Sequence, residues 1–372
     1  VCPDLMRGLG KEDAPMLIRP TALPQYFFWG IRFIHNSLPH RYRDNARRNH
    51  ALGMYSLRMM QYLRENEDIA YDHAAHGVIT IYRDQKAFEA AADDPLNETL
   101  SLDLDVLDVD ALVSRQPALS DIADQLAGGI HHKTEETGNA HTFCQELHRI
   151  LSTRGVDFEF GTEVNGFRQS GANIAGLHTT RGERRADAYV LAAASDSTKL
   201  SKELGLRLPV KPAKGYSLTC PRGDWPDGPH IPVIDDLLHA CVVPVGDQIR
   251  VAGTAEFAGY NLDLSQGRID NLKRMLSAVY PDYADALQPN DIVPWTGLRP
   301  MSASGVPIIS DTPFENLFVN TGHGPLGWTF AAGSGRLMSD LVSGAPTEIA
   351  IEDYCLTRRT ALTGGQASRR EG

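Results

Sequence analysis

The chain is predicted to be mixed α/β and to divide into two domains. Three observations carry that expectation. Its 372 residues exceed the size at which a single hydrophobic core stops growing. Helical and strand-like stretches follow one another in the pattern of α/β crossovers. The middle third, from Leu208 to about Val293, is dominated by short apolar runs bounded by Pro or Gly, the texture of an antiparallel sheet.

In chain order, Pro24 opens a helix through Tyr26, Phe27, Phe28, Trp29, Ile31, Phe33 and Ile34, and Pro39 stops it. Arg41, Arg43, Arg47 and Arg48 lead into a second helix with Leu52, Tyr55, Met59, Tyr62 and Leu63 at helical spacing. An aromatic helix followed by arginines can rest on a membrane surface. The plainer reading is two packed helices joined by a solvated basic turn, and it is preferred because such stripes are more often core. Beyond Gly77 come a strand from Val78 to Tyr82, a helical segment from Phe88 to Ala92, and an alternation of Leu102, Leu104, Val106 and Leu107. Thr142 to Leu151 reads as a helix and Val156 to Phe160 as a strand leading to Val164. Ile174 to Thr179 and Ala188 to Ala193 read as a hairpin about the polar turn Arg181 to Arg185, its second arm apolar enough to be buried. GYSLTCP, HACVVPV and IRVAGTAEF are strands, interrupted by a helix from Arg268 to Tyr280, and their sheet is suited to form one wall of a substrate pocket. The polar tail after Leu356 is expected to fray.

Composition narrows the function classes. Apolar residues at 42% and charged residues at 22% are those of an ordinary globular protein. A balance of 36 basic against 47 acidic residues, net −11, argues against nucleic acid as a partner. Cys2, Cys144, Cys220, Cys241 and Cys355 form no C-x-x-C pair, so no metal site and no disulfide framework is expected, and a reducing, cytoplasmic compartment fits. No apolar run approaches the roughly 20 residues needed to cross a bilayer. Val1 is not an initiator methionine, and a truncated start is expected.

Near the C-terminus, Leu317 to Asn320 reads as a strand entering the loop TGHGPLG, with a helix from about Trp328. Gly322, Gly324 and Gly327 satisfy G-x-G-x-x-G literally, and such a loop presents backbone N–H groups to an anion. A dinucleotide diphosphate site would need further strands and an acidic residue downstream. Only Gly344, Pro346 and a short Ile349 to Ile351 segment follow, so the loop is expected to face another electron-rich cofactor atom instead. Upstream, Arg299 lies between Leu298 and Pro300 in an apolar stretch. A guanidinium there either grips a carboxylate ligand through two parallel hydrogen bonds or closes an internal salt bridge, and the residues alone leave both open.

The blocks GLRPMSASGVPI, NLFVNTGHGPLGWT, DAYVLAAASDST, PAKGYSLTCP, IRVAGTAEFAGYNLDL and TEETGNAHTF, in that order-compatible arrangement from Leu5 to about Ser343, resemble the bacterial D-amino acid dehydrogenases of the D-amino acid oxidase-like flavoprotein group. The resemblance implies a Rossmann-like FAD domain interleaved with an antiparallel-sheet substrate domain. The domain boundaries it suggests are 1–130 (helical pair and part of the substrate domain), 131–207 (FAD segment), 208–296 (substrate sheet), 297–355 (FAD segment) and 356–372 (tail). Arg299 would hold the substrate carboxylate, with Tyr216 as a pocket wall. Gly322, His323, Gly324, Leu326, Gly327, Trp328 and Thr329 would face the flavin, Val164 would lie at the adenine end, and Ala193, Ala194 and Ser195 would pass close to the FAD. For Val164, Tyr216 and His323 a purely structural role is the competing reading.

Two departures qualify the likeness. The family opens with a βαβ unit of roughly 30 residues carrying its own G-x-G-x-x-G, which nothing before Leu5 supplies. Ala194 stands where the family tends to have glycine, so a methyl group meets a close backbone approach. The implied activity is oxidation of a D-amino acid to a 2-oxo acid and ammonia, with electrons passed to a quinone or other acceptor at peripheral membrane contact and no dedicated catalytic acid or base. The alternatives are a related flavin oxidase of glycine, proline or a secondary amine, or an inactive fragment or subunit that does not hold FAD alone.

Overall fold

The computed structural model describes residues 10, 12, 14, 16–225 and 228–356; the expected tail lies outside them. By internal packing the chain divides into two units. The first draws on the segments Val1–Leu23, Asp68–Gly155 and Lys214–Leu298, the second on Pro24–Glu67, Val156–Ala213 and Arg299–Gly372.

The first unit is built on a nine-stranded sheet. Its strands follow the order Val293–Ser302, Val210–Pro221, Gln248–Phe257, Ala240–Val245, Val233–Asp235, Val78–Tyr82, Gly128–His132 and Leu104–Leu107, with Met16–Ile18 pairing in parallel to Gln248–Phe257. Met16–Ile18 pairs in parallel with Gln248–Phe257, as does Val233–Asp235 with Val78–Tyr82, while Gln248–Phe257 runs antiparallel to both Val210–Pro221 and Ala240–Val245, Ala240–Val245 to Val233–Asp235, and Gly128–His132 to both Val78–Tyr82 and Leu104–Leu107. One face packs on the helix Gln266–Val279, whose Ile269, Leu272, Met275 and Leu276 join Leu218, Val233, Val242 and Val251 in a continuous core. The Gln248–Phe257 strand carries a bulge between Gly253 and Glu256, where Thr254 has φ +62. A β-branched residue in that region is strained, and the extra residue rotates the strand so that Glu256 becomes buried.

The second unit contains two three-stranded sheets. In one, Ile308–Asp311 pairs antiparallel with Leu317–Thr321, which pairs in parallel with Tyr189–Leu191. In the other, Val164–Ser170, Asn173–Thr179 and Gly182–Arg184 form a meander. Ile174, Tyr189, Leu191, Leu206, Leu317 and Val319 form one core. A second core joins Leu52 and Tyr55, of the helix Pro39–Asn66, to Phe330, Leu337 and Met338 of the helix Gly327–Ser343. Those helices approach at small residues: the Gly333 amide donates to Ser56 Oγ at 3.1 Å, and a Cβ on Gly333 would lie 2.9 Å from Ser56 Cα.

Three sequence expectations are corrected. Val156 to Phe160 alternates like a strand but forms none, because no described strand offers it a ladder partner; the Phe158 and Phe160 rings instead stack at 5.9 Å. Asn173–Thr179 does not pair with Ala188–Ala193; the supposed polar turn contains the third strand of the meander, and the apolar Tyr189–Leu191 is buried in the other sheet. Pro39 does not merely stop the aromatic helix Leu23–Asn36; it opens the next one at its first turn. The longer helix packs on Gly327–Ser343, whereas the aromatic helix hydrogen-bonds to strand ends, Tyr26 OH to the Pro212 carbonyl and Trp29 Nε1 to the Met301 carbonyl.

Candidate active site

The site in the second unit begins where two parallel strands end. Leu317, Phe318 and Val319 lie opposite Tyr189, Val190 and Leu191, so both chains leave the sheet at their carboxyl ends on the same side, where open α/β sheets bind ligands. One exit is Ala192 to Ser195 and the other is the glycine loop. They are tied together by Thr321 Oγ1 donating to the Ala194 carbonyl at 2.8 Å. Ala194 has φ +47, a left-handed conformation in which glycine is unstrained and alanine is not. Its methyl is therefore a departure in backbone as well as in bulk. Ala192, Ala193 and Ala194 are exposed, whereas Ser195 is buried.

Gly322 has φ +81, and a Cβ there would come 3.2 Å from Ser302 Cβ, so both conformation and space call for glycine. His323 follows in helical conformation, then Gly324 at φ +56 and a short 3₁₀ turn, Gly324–Leu326, into the helix Gly327–Ser343. Gly327 lies under His323, its Cβ position 3.8 Å from His323 Cβ, and Thr329 packs toward Gly53. Leu326 is exposed and Trp328 half-buried. An isolated antiparallel bridge joins Met301 to His323, and Met301 Sδ lies 3.3 Å from the Cβ position of Gly324. Since strand side chains alternate, Arg299 shares the face of Met301, the face that meets the loop.

Burial pushes the Arg299 guanidinium below its usual pKa. It also holds the His323 imidazole neutral, its pKa pushed down to about 4. His323 Nε2 is buried and has no hydrogen-bond partner among the described residues, a costly arrangement in a finished core.

A second feature lies beside the Ala192–Ser195 exit. A cavity of about 460 Å³ is lined by Val164, Phe167, Leu177, Leu200, Leu317 and the run Ala188 to Ala193. It brings Val164 and Ala193 together on one apolar, open-sided slot. Its walls suit a flat ring system, and the exposed backbone beside them suits a cofactor that is approached by main chain. Among the described residues no strand, glycine loop and helix followed by a second parallel strand is available for a diphosphate.

Tyr216 belongs to the first unit. It is buried and its hydroxyl donates to Glu256 Oε2 at 2.5 Å, while Arg19 Nε donates to Glu256 Oε1 at 2.7 Å and Lys214 Nζ lies 3.4 Å from Oε2. Burial works against the Glu256 carboxylate, but the Tyr216 and Arg19 hydrogen bonds hold its pKa below the usual range. Lys214 also donates to Asn261 Oδ1 and the Asp263 carbonyl, both at 2.9 Å. Arg19, Lys214, Glu256, Asn261 and Asp263 line a cavity of about 380 Å³, and Tyr216 lies outside its lining. Sequence reasoning missed this network; the available signal was a lysine and a glutamate inside apolar strands, and the bulge disguised the phase of the second.

Comparison with known proteins fits this geometry. The D-amino acid dehydrogenase of Paramagnetospirillum magneticum is 38% identical over 97% of this chain and 85% of its own length, and that of Vibrio atlanticus is 36% identical over 95% and 84%. Among solved structures, glycine oxidase from Geobacillus kaustophilus superposes with a TM-score of 0.75 at 23% identity, covering 83% of this chain and 82% of that one. L-proline dehydrogenase from P. horikoshii gives 0.73 at 14% identity, covering 82% and 81%. The family model for FAD dependent oxidoreductases, DAO, matches residues 30–341, and the chain belongs to that family.

Proposed function

We propose that this chain catalyses the FAD-dependent oxidative deamination of D-amino acids to 2-oxo acids and ammonia. The observation that carries the reading is the half-buried Arg299 on a strand bridged, through Met301 and His323, to a glycine loop at the carboxyl end of a parallel strand pair. The substrate class comes from the curated relatives, which bear the name D-amino acid dehydrogenase at 36–39% identity.

The residues present fit a flavin. The cavity around Val164 and Ala193 accepts a flat apolar group, Ala193, Ala194 and Ser195 offer main chain, and Gly322 to Thr329 offer loop N–H groups and the unpartnered His323 Nε2. FAD held there would supply a hydride acceptor for the substrate Cα. Arg299 fixes the carboxylate by a forked pair of charged hydrogen bonds, which orients Cα and makes its encounter with the cofactor effectively intramolecular. The positive charge of Arg299 and its partly desolvated surroundings also disfavour the ammonium form of the substrate, so the amine gives its proton to solvent water on entry, without a dedicated base. Neutral His323 adds no cation that would compete with Arg299 for the carboxylate. Water then hydrolyses the imine.

The electrons leave for a small acceptor of the quinone type, and the chain works in the cytoplasm at peripheral contact with the inner face of the plasma membrane. No helix among the described residues is long and apolar enough to cross a membrane.

The test is the visible spectrum of the chain with added FAD, followed by a D-amino acid. Bound flavin that bleaches with the D-isomer and not with its mirror image is expected. Loss of bleaching with the D-isomer would refute the substrate class, and hydrogen peroxide formation would redirect the reading to an oxidase. Arg299→Ala should raise KM by about 100-fold or more, the scale of losing a charged, two-pronged hydrogen bond; an unchanged KM removes Arg299 from the site.

A further inference from the structure

The helix Leu23–Asn36 is apolar on two opposite faces. Tyr26 and Trp29 point inward, 6% and 7% exposed, and are fixed by hydrogen bonds to the Pro212 and Met301 carbonyls, with Asn36 Nδ2 adding one to the Ala303 carbonyl. Outward, Phe27 is 61% exposed, Phe28 79%, Ile31 53% and Ile34 43%. Residues 27, 31 and 34 follow helical spacing, and Leu38, 43% exposed just beyond the helix end, extends the line. A helix apolar all round is normally buried on every side, and the inner hydrogen bonds prevent this one from rolling its outer face inward. The outer face therefore requires a cover.

Charge identifies that cover. The whole chain carries −11, yet from Pro24 to Arg43 there is no acidic residue, and Arg32, Arg41 and Arg43 lie within that stretch; Arg47 and Arg48, beyond it, are paired with Asp44 and Asp353. Arg32 and Arg43 are exposed. Exposed aromatic and aliphatic side chains flanked by arginines are the arrangement by which a helix lies in the headgroup layer, its apolar face in the acyl boundary and its cations on anionic lipid. Resting on the peripheral-contact part of the proposed function, we infer that Pro24–Asn36 is an in-plane anchor for an anionic bilayer surface. Phe27, Phe28, Ile31 and Ile34 enter the lipid and Arg32 and Arg43 engage the headgroups.

The experiment is co-sedimentation of the FAD-loaded full chain with vesicles of phosphatidylcholine and phosphatidylglycerol at 3:1, against vesicles of phosphatidylcholine alone. Binding to the anionic vesicles that weakens with added salt is expected. Phe27→Ser with Phe28→Ser should weaken it by about 10-fold or more, from the apolar area withdrawn, and Arg32→Gln or Arg43→Gln by about fivefold each. Both phenylalanines are exposed, and an unchanged melting temperature checks that the variant folds. Absence of vesicle binding, or equal binding by the double variant, overturns the inference. So does a concentration-dependent dimer abolished by the double variant, because a second copy is then the cover. Reduction of a soluble dye by a D-amino acid, measured without vesicles, tests the substrate reading separately: dye reduction without vesicle binding defeats the anchor alone, and vesicle binding without dye reduction defeats the substrate class alone.

Discussion

Each unit holds a cavity, and the two are lined in opposite ways. The one in the first unit is walled by Arg19, Lys214, Glu256, Asn261 and Asp263, and those groups already satisfy one another: three donors converge on Glu256, and Lys214 has two further acceptors. The one in the second unit is walled by apolar residues, from Val164, Phe167 and Leu177 to Ala192 and Ala193. On the same unit Val156, Phe158, Phe160 and Val190 are exposed, and His323 Nε2 is left without a partner. A self-satisfied ionic cavity contributes rigidity and needs nothing from outside. An apolar slot with exposed neighbours is unfinished until a ligand fills it.

The largest test of this contrast is cofactor addition. With FAD at 100 times its Kd, the second unit should gain about 2.7 kcal/mol, read as roughly 100-fold slower amide exchange in Tyr189–Leu191 and Leu317–Thr321, with little change in Gln248–Phe257. Equal slowing in both sheets would erase the distinction. Next comes acid. His323 has a folded pKa pushed below its unfolded value, so above about pH 6.5 both states are neutral and no penalty exists. As pH falls from there toward 4, the unfolded chain takes up a proton that the folded chain refuses, and stability is lost. Discounted for partial exposure, the loss is about 2 kcal/mol. His323→Gln should flatten this part of the Tm–pH curve, and an unchanged curve would mean the imidazole is not held neutral.

Smaller effects come from close packing. Gly333→Ala places a methyl against the Ser56 backbone and should cost about 1–2 kcal/mol, the usual scale of overpacking, measured by denaturant titration. Ala194→Gly relieves the left-handed strain at φ +47. The relief of about 1–2 kcal/mol is offset by glycine's extra chain entropy. A net gain of up to about 1 kcal/mol in apo stability, with tighter FAD binding, is the expected result; a loss would show that the methyl contributes packing.

What the sequence revealed follows from where each signal is local. Val78–Tyr82 was read to the residue because a glycine precedes it and four β-branched residues follow one another. The Thr142–Leu151 helix was recognised and only its ends moved, to Ala140–Thr153, since Asn139 caps it through the Thr142 amide, a signal weaker than apolar spacing. The strand, glycine loop and helix around Gly322 were also legible, because a single stretch carries all three. Signals that depend on a distant partner failed. Val156 to Phe160 has the pattern of a strand without a neighbour, and Tyr189–Leu191 pairs with Leu317–Thr321 far along the chain. Nothing near Glu256 announces that a bulge turns it toward Tyr216. The Ser56–Gly333 contact is equally invisible, since two small residues signal nothing until their helices meet.

The parallel pairing of Tyr189–Leu191 with Leu317–Thr321 has a consequence in time. During synthesis at about 5–20 residues per second, the earlier strand waits for more than a hundred residues before its partner exists, and the helix that carries Gly333 arrives later still. Long-range parallel pairing is slow to form and leaves unpaired backbone exposed meanwhile. The second unit is therefore the last to complete on the ribosome, and Tyr189–Leu191 is the segment a chaperone would have most reason to hold until then.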